Sequence, residues 1–469
     1  MKKQVLSFLL LTLLSAGILA QDPESIDGIW LGTLKIQSLE LRLAFTLSGS
    51  ADGELKALMK SIDQGGVEVP MEEVLLKNDT LLVRHSGAGI EVEGRINPVQ
   101  LVWETEFRQG PVKAPITFLK VEQLPGMVRT QDPVPPFPYR VEEVSFRNQE
   151  ADINLAGTLT IPEGDGPFPA VILLTGSGPQ NRDEELFGHK PFLVLADYLS
   201  RNGIAVLRAD DRGVGGSTGS FAGSTTGDFA TDALAGVNYL KTREEIYTER
   251  IGLAGHSEGG MMASIAASSS ADVGFIILMA APGVPFEEII LYQKKRKWKQ
   301  AGISEGDMAL LMRWHNEVWS LVSGPLSNEK VQDKIRILYS ELTEDEKTRL
   351  QKSEELLEAE IKVVTDPWWR YAARYKAAKT LGKVSCPVLA INGSKDTQVT
   401  ANENLAAIKE ALQSGGNNNY QVKDLEGLNH LFQTAGTGDE SEYMKIEETV
   451  SPVAMEIISS WINDLYTDQ

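Results

Sequence analysis

Residues 251–267 of this chain read IGLAGHSEGGMMASIAA, and this stretch decides the fold. It opens with a short apolar run, which is typical of a strand buried in a parallel sheet. It closes with small and apolar residues from Gly260 to Ala267 that suit a packed helix. Ser257 lies between the two, flanked by Gly255 and Gly259, and glycines at this spacing let a strand and a helix approach closely around an exposed serine. The stretch therefore predicts a strand, a sharp turn and a helix, with the Ser257 hydroxyl exposed at the turn.

The same five-residue pattern, G-x-S-x-G, occurs a second time around Ser217. That copy follows Asp210 and Asp211 in a glycine-rich loop, and no apolar helix begins after it. A reactive serine needs the strand before it and the helix after it. The sequence therefore favours Ser257 as the nucleophile.

The segments around this turn alternate between strand and helix. Two strand-like segments, 141–146 and 153–161, lead into the alternation. Apolar runs then predict buried strands at 169–174, 203–207, 251–254, 275–279, 388–391 and 420–422. Helical patterns follow at 191–202, 228–243, 401–412 and 453–465. This alternation predicts an α/β fold, a doubly wound and mostly parallel sheet, over residues 140–469.

A charged, tryptophan-rich segment at residues 282–383 interrupts the alternation. Its helical period predicts an inserted helical lid. The aromatic residues of the segment form either the core of the lid or part of a substrate pocket. A basic run at Lys294–Lys297 is expected to be a solvated helix face, with contact to a lipid headgroup or an acidic polymer as the alternative.

The N-terminal part of the chain has a different pattern. Residues 1–20 combine two early lysines with an apolar run and a small residue at the cleavage point, which predicts a secretory signal peptide and export to the periplasm or beyond. The alternative is an uncleaved membrane anchor. Residues 21–122 alternate with period two and predict a small all-β accessory domain. Residues 123–139 are rich in proline and predict an extended, stiff linker.

Five histidines are available as the base that a serine nucleophile requires. His430 is the best candidate, because it lies in a glycine-bearing loop after the last strand. Asp396 follows the strand ending at Ile391 and would orient the imidazole. The order Ser257, Asp396, His430 is the order that this kind of sheet uses. Asp424 is the rival acid, at the end of the last strand.

Backbone N–H groups must stabilise the negative oxygen that forms during acyl transfer. One is expected from Glu258, directly after the nucleophile. The second is expected from Ser177 in the loop after the first buried strand, since Gly176 lets the next peptide reach the required orientation.

Four segments resemble bacterial α/β-hydrolase esterases related to the serine aminopeptidase group. They are 174–183 (LTGSGPQNRD), 207–217 (LRADDRGVGGS), 255–260 (GHSEGG) and 386–396 (CPVLAINGSKD). Residues 28–32 (GIWLG) are similar to the β domain that often precedes these esterases. The resemblance covers residue 140 to the C-terminus and is weaker through the lid.

The resemblance implies hydrolysis of carboxylic esters through an acyl-enzyme, with no metal or organic cofactor. It maps the Arg-Asp pair of the group onto Arg182 and Asp183, which would anchor the loop or contact the substrate. Two alternatives stay open at this point. One is a serine peptidase or amidase on the same three residues, and the other is a non-catalytic binding protein that keeps the fold.

Charge and composition narrow the partners. The formal net charge of −20 disfavours nucleic acid and anionic membranes. The single cysteine, Cys386, permits no intramolecular disulfide and no cysteine-based metal site. Apart from the leader, no segment is apolar enough to cross a membrane. A small-molecule ester is the expected partner.

Overall fold

The computed structural model describes residues 26–36, 39–49, 55–62, 68–109, 112–122, 124 and 129–466. The predicted signal peptide lies outside these residues. The chain forms two compact units, Met1–Gly126 and Met127–Gln469. Each unit has a hydrophobic core of its own.

In its described residues the first unit is one antiparallel sheet of nine strands, as the sequence predicts for an all-β domain. The hydrogen-bonded order is β4-β3-β2-β1-β9-β8-β7-β6-β5. The strands are β1 Gly28–Ile36, β2 Leu39–Gly49, β3 Leu55–Ser61, β4 Glu68–Pro70, β5 Glu73–Lys77, β6 Thr80–His85, β7 Ile90–Asn97, β8 Val102–Gln109 and β9 Val112–Val121.

The inward face of this sheet carries the large apolar side chains. Trp30, Phe45, Trp103 and Phe118 are fully buried. The rings of Trp103 and Phe118 stack with centroids 4.9 Å apart, and Phe45 meets Trp103 edge-on at 5.4 Å. The two ends of the sheet, β4 and β5, are consecutive in the chain, so the sheet curls around this core. Burying four large rings supplies the apolar area that a small sheet needs for stability.

The second unit is built on a mixed sheet of eight strands within residues 129–466. The order is β10-β11-β13-β12-β14-β15-β16-β17, and every pair from β13–β12 to β16–β17 is parallel. The strands are β10 Tyr139–Asn148, β11 Ile153–Pro162, β12 Phe168–Leu174, β13 Ala205–Ala209, β14 Ile246–His256, β15 Phe275–Met279, β16 Val388–Gly393 and β17 Tyr420–Leu425.

Helices cover both faces of this sheet, which confirms the predicted doubly wound α/β fold. Alternate residues of β12 point to opposite cores, with Val171 and Leu173 on one side and Ile172 on the other. One face packs against α1 Pro191–Arg201 and α12 Pro452–Asp464. The other face packs against α2 Thr226–Leu240, α3 Glu258–Ser269, α10 Ala377–Leu381 and α11 Ala401–Ser414.

Six helices between β15 and β16 form the predicted insertion. They are α4 Phe286–Gln300, α5 Glu305–Ser323, α6 Asn328–Ser340, α7 Glu344–Arg349, α8 Glu354–Val364 and α9 Pro367–Arg374. They share an apolar cluster of their own, which includes Trp314 and Trp319. The insertion is shorter than the predicted range of 282–383, because Ala377 and Leu381 of α10 pack into the core beneath the sheet.

The proline-rich segment is not a free spacer along its whole length, which corrects the expectation from its composition. Arg129 is buried, and its Nη1 and Nη2 donate to the carbonyls of Ile446 (2.8 Å) and Met444 (2.9 Å). The Gln131 side chain donates to Val450 O at 2.7 Å. Loop carbonyls that lack a backbone partner need such donors, and these contacts make the segment from residue 129 onward part of the second unit.

A search of the described helices for one long and apolar enough to cross a membrane finds none.

Candidate active site

Ser257 stands in the turn between β14, which ends at His256, and α3, which begins at Glu258. Its backbone has φ 54° and ψ −117°, a region that non-glycine residues rarely occupy. The Ser257 N–H donates to Met279 O at 2.8 Å, which helps to hold the strained conformation. In the described part of the chain, neither Ser257 Oγ nor the backbone N–H of Glu258 has a hydrogen-bond partner.

The turn is possible only because its flanking glycines lack side chains. A Cβ at Gly255 would lie 2.0 Å from Gly259 O, and a Cβ at Gly259 would lie 2.2 Å from Leu174 O. Both contacts are with backbone atoms, which cannot move away cheaply. The strand, the helix and the neighbouring strand β12 therefore meet around Ser257 at backbone contact distance.

His430 and Asp396 form a buried pair in the loops that follow β17 and β16. His430 Nδ1 lies 2.7 Å from Asp396 Oδ2. The other carboxylate oxygen, Oδ1, accepts from the N–H groups of Gln398 (2.8 Å) and Val399 (2.9 Å). Both side chains are nearly inaccessible. The rival acid, Asp424, is exposed on β17.

The Asp396 carboxylate fixes the state of the imidazole. A carboxylate only accepts, so His430 Nδ1 carries the proton and Nε2 presents its lone pair. Nε2 has no hydrogen-bond partner among the described residues. The centroid of the His430 ring lies 4.8 Å from the centroid of the ring of His256, the residue before Ser257. The structure thus brings the loop of the predicted base to the predicted nucleophile.

The predicted oxyanion donors lie in the same cavity as Ser257. Ser177 and Glu258 both line it. The N–H of Gly176 is occupied, because it donates to Glu184 Oε1 at 2.7 Å. The N–H of Ser177 has no acceptor in the described residues and is free for a ligand. Asp211 braces this loop by accepting from Thr175 Oγ1 and from the Gln180 N–H, both at 2.9 Å.

Glu184 and His256 connect the three parts of the site, a role that no pattern in the sequence indicates. Glu184 Oε1, which accepts from Gly176, also accepts from His256 Nδ1 at 2.9 Å. His256 Nε2 donates to His430 O at 2.9 Å. Both ring nitrogens therefore donate. Burial disfavours the charge, but the Glu184 carboxylate raises the pKa of His256. The loop of Gly176, the residue before Ser257 and the backbone of His430 are held by one charged pair.

Arg182 and Asp183 make loop-supporting contacts. Arg182 forms a two-pronged pair with Asp210, through Nε to Oδ1 (3.0 Å) and Nη2 to Oδ2 (2.8 Å). These hydrogen bonds raise the pKa of Arg182. Asp183 pairs with the buried Arg208. The geometry favours loop support over substrate contact, since the charged groups of both residues are engaged within the protein.

The second G-x-S-x-G serine is engaged in the structure. Ser217 is buried, its Oγ donates to Asp210 O at 2.8 Å, and the same oxygen accepts from Ala156 N–H at 2.9 Å. Its hydroxyl therefore holds a loop against β11.

A cavity of about 230 Å³ opens beside Ser257. Its apolar wall comes from α3 and from the insertion, through Met261, Phe286, Ile289, Ile290, Trp368 and Trp369. Trp314 and Trp319 lie instead in the core of the insertion. The two alternatives for the aromatic residues thus both occur, and Phe286 and Trp369 line the cavity while also packing against the core of the insertion.

The side chain of Glu258 forms a polar spot in this apolar cavity. Its Oε1 accepts from Trp368 Nε1 at 2.6 Å and from Thr226 Oγ1 at 2.7 Å. Its Oε2 is buried and has no partner within the described residues. Burial raises the pKa of Glu258. A buried carboxyl oxygen without a partner is costly.

The described residues contain no group of three or more His, Cys, Asp or Glu placed to hold a metal ion.

This sheet order, with the serine turn after β14 and the histidine loop after β17, defines an α/β-hydrolase. Residues 152–425 match the X-Pro dipeptidyl-peptidase (S15) family, and the chain belongs to this family. It is also similar to esterase EstD of Thermotoga maritima, with 29% identity over 349 residues that cover 72% of this chain and 74% of the relative.

Two solved structures also match the chain. The Pyrococcus furiosus esterase Pf2001 is 16% identical, with a TM-score of 0.41 over 70% of this chain and 90% of its own. Est1E from Butyrivibrio proteoclasticus, solved with ferulic acid bound, is 18% identical, with a TM-score of 0.39 over 70% of this chain and 98% of its own. The predicted resemblance to esterases is confirmed by the relative, and the chain is a hydrolase. The alternative of a non-catalytic binding protein is set aside.

Proposed function

We propose that this hydrolase cleaves carboxylic esters through an acyl-enzyme, with Ser257 as nucleophile, His430 as base and Asp396 as the group that orients His430. The observation that carries the proposal is the buried His430–Asp396 pair at 2.7 Å, beside a serine held at a positive φ. A similar esterase supports the choice of ester substrates.

The reaction follows from the chemistry of these groups. Ser257 Oγ attacks the acyl carbon while His430 Nε2 takes its proton. The carbonyl oxygen becomes negative and accepts from the Ser177 and Glu258 N–H groups. The C–O bond to the alcohol then breaks, and the alcohol leaves with the proton from His430. Water attacks the acyl-serine by the same route in reverse, which releases the carboxylic acid and restores Ser257.

A series of nitrophenyl esters of rising acyl length, measured beside an X-Pro anilide, tests the ester preference. We expect hydrolysis of acetyl and butyryl esters, and lower kcat/KM for long acyl chains, because the cavity is small and walled by aromatic rings. Hydrolysis of the anilide without hydrolysis of any ester would overturn the proposal.

The free oxygen of Glu258 favours a second candidate, hydrolysis of acyl groups that carry an amine. An ammonium group would pair with the carboxylate, and the rings of Trp368 and Trp369 would favour a cation nearby. The family name, which describes peptidases that act on an X-Pro dipeptide, is consistent with such a substrate.

Glu258→Gln tests this second candidate with phenylalanine methyl ester and its N-acetyl derivative. Glutamine keeps an oxygen for Trp368 and Thr226 but removes the negative charge. We expect kcat/KM for the free amine to fall by about 10- to 100-fold, the loss of one buried charge pair, with little change for the N-acetyl ester. Glu288→Gln, on the exposed side of α4, is the matched control. Equal losses on both substrates would exclude amine recognition and leave the ester proposal intact.

We also propose that the chain is exported, on the basis of the leader pattern in residues 1–20. Mass analysis of the N-terminus of the protein from its native cell tests this. A mature chain that begins near Gln21 is expected, and a chain that retains residues 1–20 would contradict it.

A further inference from the structure

A second cleft, of about 560 Å³, lies away from Ser257, between the last helix of the insertion and the core of the second unit. Its walls come from α9, from α10 and the turn before it, from Asn328 at the start of α6 and from Thr225, which caps the start of α2. No part of the catalytic mechanism uses these residues.

The charge of this cleft is opposite to that of the protein. Arg370, Arg374, Lys376 and Lys379 line it, and none of the described residues lining it is an Asp or Glu. The whole chain has a net charge of −20, whereas the lining of this cleft has four basic side chains and no acidic one. None of the four has a carboxylate within ion-pair distance among the described residues.

Two carboxylates act on the cleft from outside its walls. Glu287 on α4 interacts electrostatically with Lys376, and Asp228 on α2 with Tyr371. Asp228 is already engaged, since its Oδ2 accepts from the N–H (2.8 Å) and the hydroxyl (2.6 Å) of Thr225. Neither carboxylate neutralises the four cations by direct pairing.

The arginines are held in place, and the lysines are free to close on a ligand. Arg370 is buried; its Nη2 donates to Leu326 O at 2.6 Å and to Gly324 O at 3.2 Å, and its Nη1 donates to Leu321 O at 3.2 Å. Arg374 Nη2 donates to Gly324 O at 2.5 Å. These bonds use only part of the donor capacity of each guanidinium. The ammonium groups of Lys376 and Lys379 are exposed and make no hydrogen bond within the described residues.

This cleft and the catalytic cavity lie on opposite faces of α9. Arg370, Tyr371 and Arg374 lie three and four positions apart, on one face of α9. Trp368 and Trp369 lie on the other face and line the catalytic cavity. One short helix therefore forms a wall of two different sites.

We propose that this cleft binds a multivalent phosphate-bearing anion of small-molecule size. Guanidinium and ammonium groups together provide the charge and the donors that phosphate oxygens need, and the Tyr371 hydroxyl adds a neutral donor. Walls with low dielectric concentrate the positive field in such a cleft. The same chemistry would accept a free phosphate compound or the headgroup of a phospholipid.

Calorimetric titration of the full chain with pyrophosphate, in chloride buffer of matched ionic strength, tests the proposal. We expect saturable binding with one site. Lys376→Gln combined with Lys379→Gln should weaken it by about tenfold or more, because two of four charges are lost. The matched control is Lys330→Gln with Lys334→Gln, which removes the same charge from exposed positions on α6.

Thermal unfolding of each variant, measured without pyrophosphate, shows that the substitutions leave the fold intact. Sedimentation with phosphatidic acid vesicles separates the two sources of phosphate. Vesicle binding that pyrophosphate displaces indicates a headgroup site, and absence of vesicle binding indicates a soluble ligand. The proposal is overturned if pyrophosphate does not bind, or if both double variants lose the same affinity.

Discussion

Ser257→Ala is expected to lower kcat on a nitrophenyl ester by about 10⁶-fold, the scale measured when a serine nucleophile is removed from a triad. Without the hydroxyl no acyl-enzyme forms, and the oxyanion donors alone give only a small residual rate. The change removes one oxygen atom from a residue whose backbone is fixed by its neighbours, so the fold should persist. Steady-state rates and near-ultraviolet circular dichroism of the purified variant measure both effects.

Ser217→Ala is the matched control, since it alters the other G-x-S-x-G serine. Loss of its two hydrogen bonds should reduce stability by about 1–3 kcal/mol, while kcat of the folded enzyme stays close to the wild-type value. A Ser257→Ala enzyme with undiminished activity, or a Ser217→Ala enzyme that is folded but inactive, would refute the assignment of the nucleophile.

Asp396→Asn is expected to lower kcat by about 10⁴-fold, with a much smaller effect on KM. The asparagine oxygen can still accept from the Gln398 and Val399 N–H groups, so the loop is kept. Its NH₂ group, however, would donate to His430 Nδ1 and force the proton onto Nε2. The imidazole could then no longer take the proton from Ser257.

Asp424→Asn makes the same chemical change at the rival acid, which is exposed on β17. Its kcat should stay within about twofold of the wild-type value, as is usual for surface substitutions. If Asp424→Asn were the variant that loses activity, the third member of the triad would have to be reassigned.

The strands and the serine turn could be predicted because the information is local. Apolar runs specify buried strands. The glycines around Ser257 are required because a Cβ at Gly255 or Gly259 would lie 2.0 or 2.2 Å from a backbone oxygen. Chain order then limited the base and the acid to a few candidates, of which the structure brings His430 and Asp396 together.

The rest could not be predicted, because it depends on contacts between distant residues. Glu184 gives no sign of its role in the sequence, since its partner His256 is 72 positions away. The Glu258 side chain meets Trp368 across 110 positions. The composition of the proline-rich segment predicts a spacer, but Arg129 donates to Ile446 O, which lies more than 300 positions later in the chain. Composition cannot reveal such partners.

The separate core of the insertion has a consequence for how this enzyme can diversify. Because α4 to α9 share their own apolar cluster, many of their positions can drift in sequence without disturbing the sheet, whereas Gln293 of α4 ties the insertion to the loop of Asp396 by donating to Gln398 O at 3.1 Å. The hydrogen bond from Trp368 to Glu258 links the insertion to the residue after Ser257. Substrate range is thus open to selection largely apart from reaction chemistry, except at the positions that make these bonds, and substitutions at 258 and 368 are expected to be coupled.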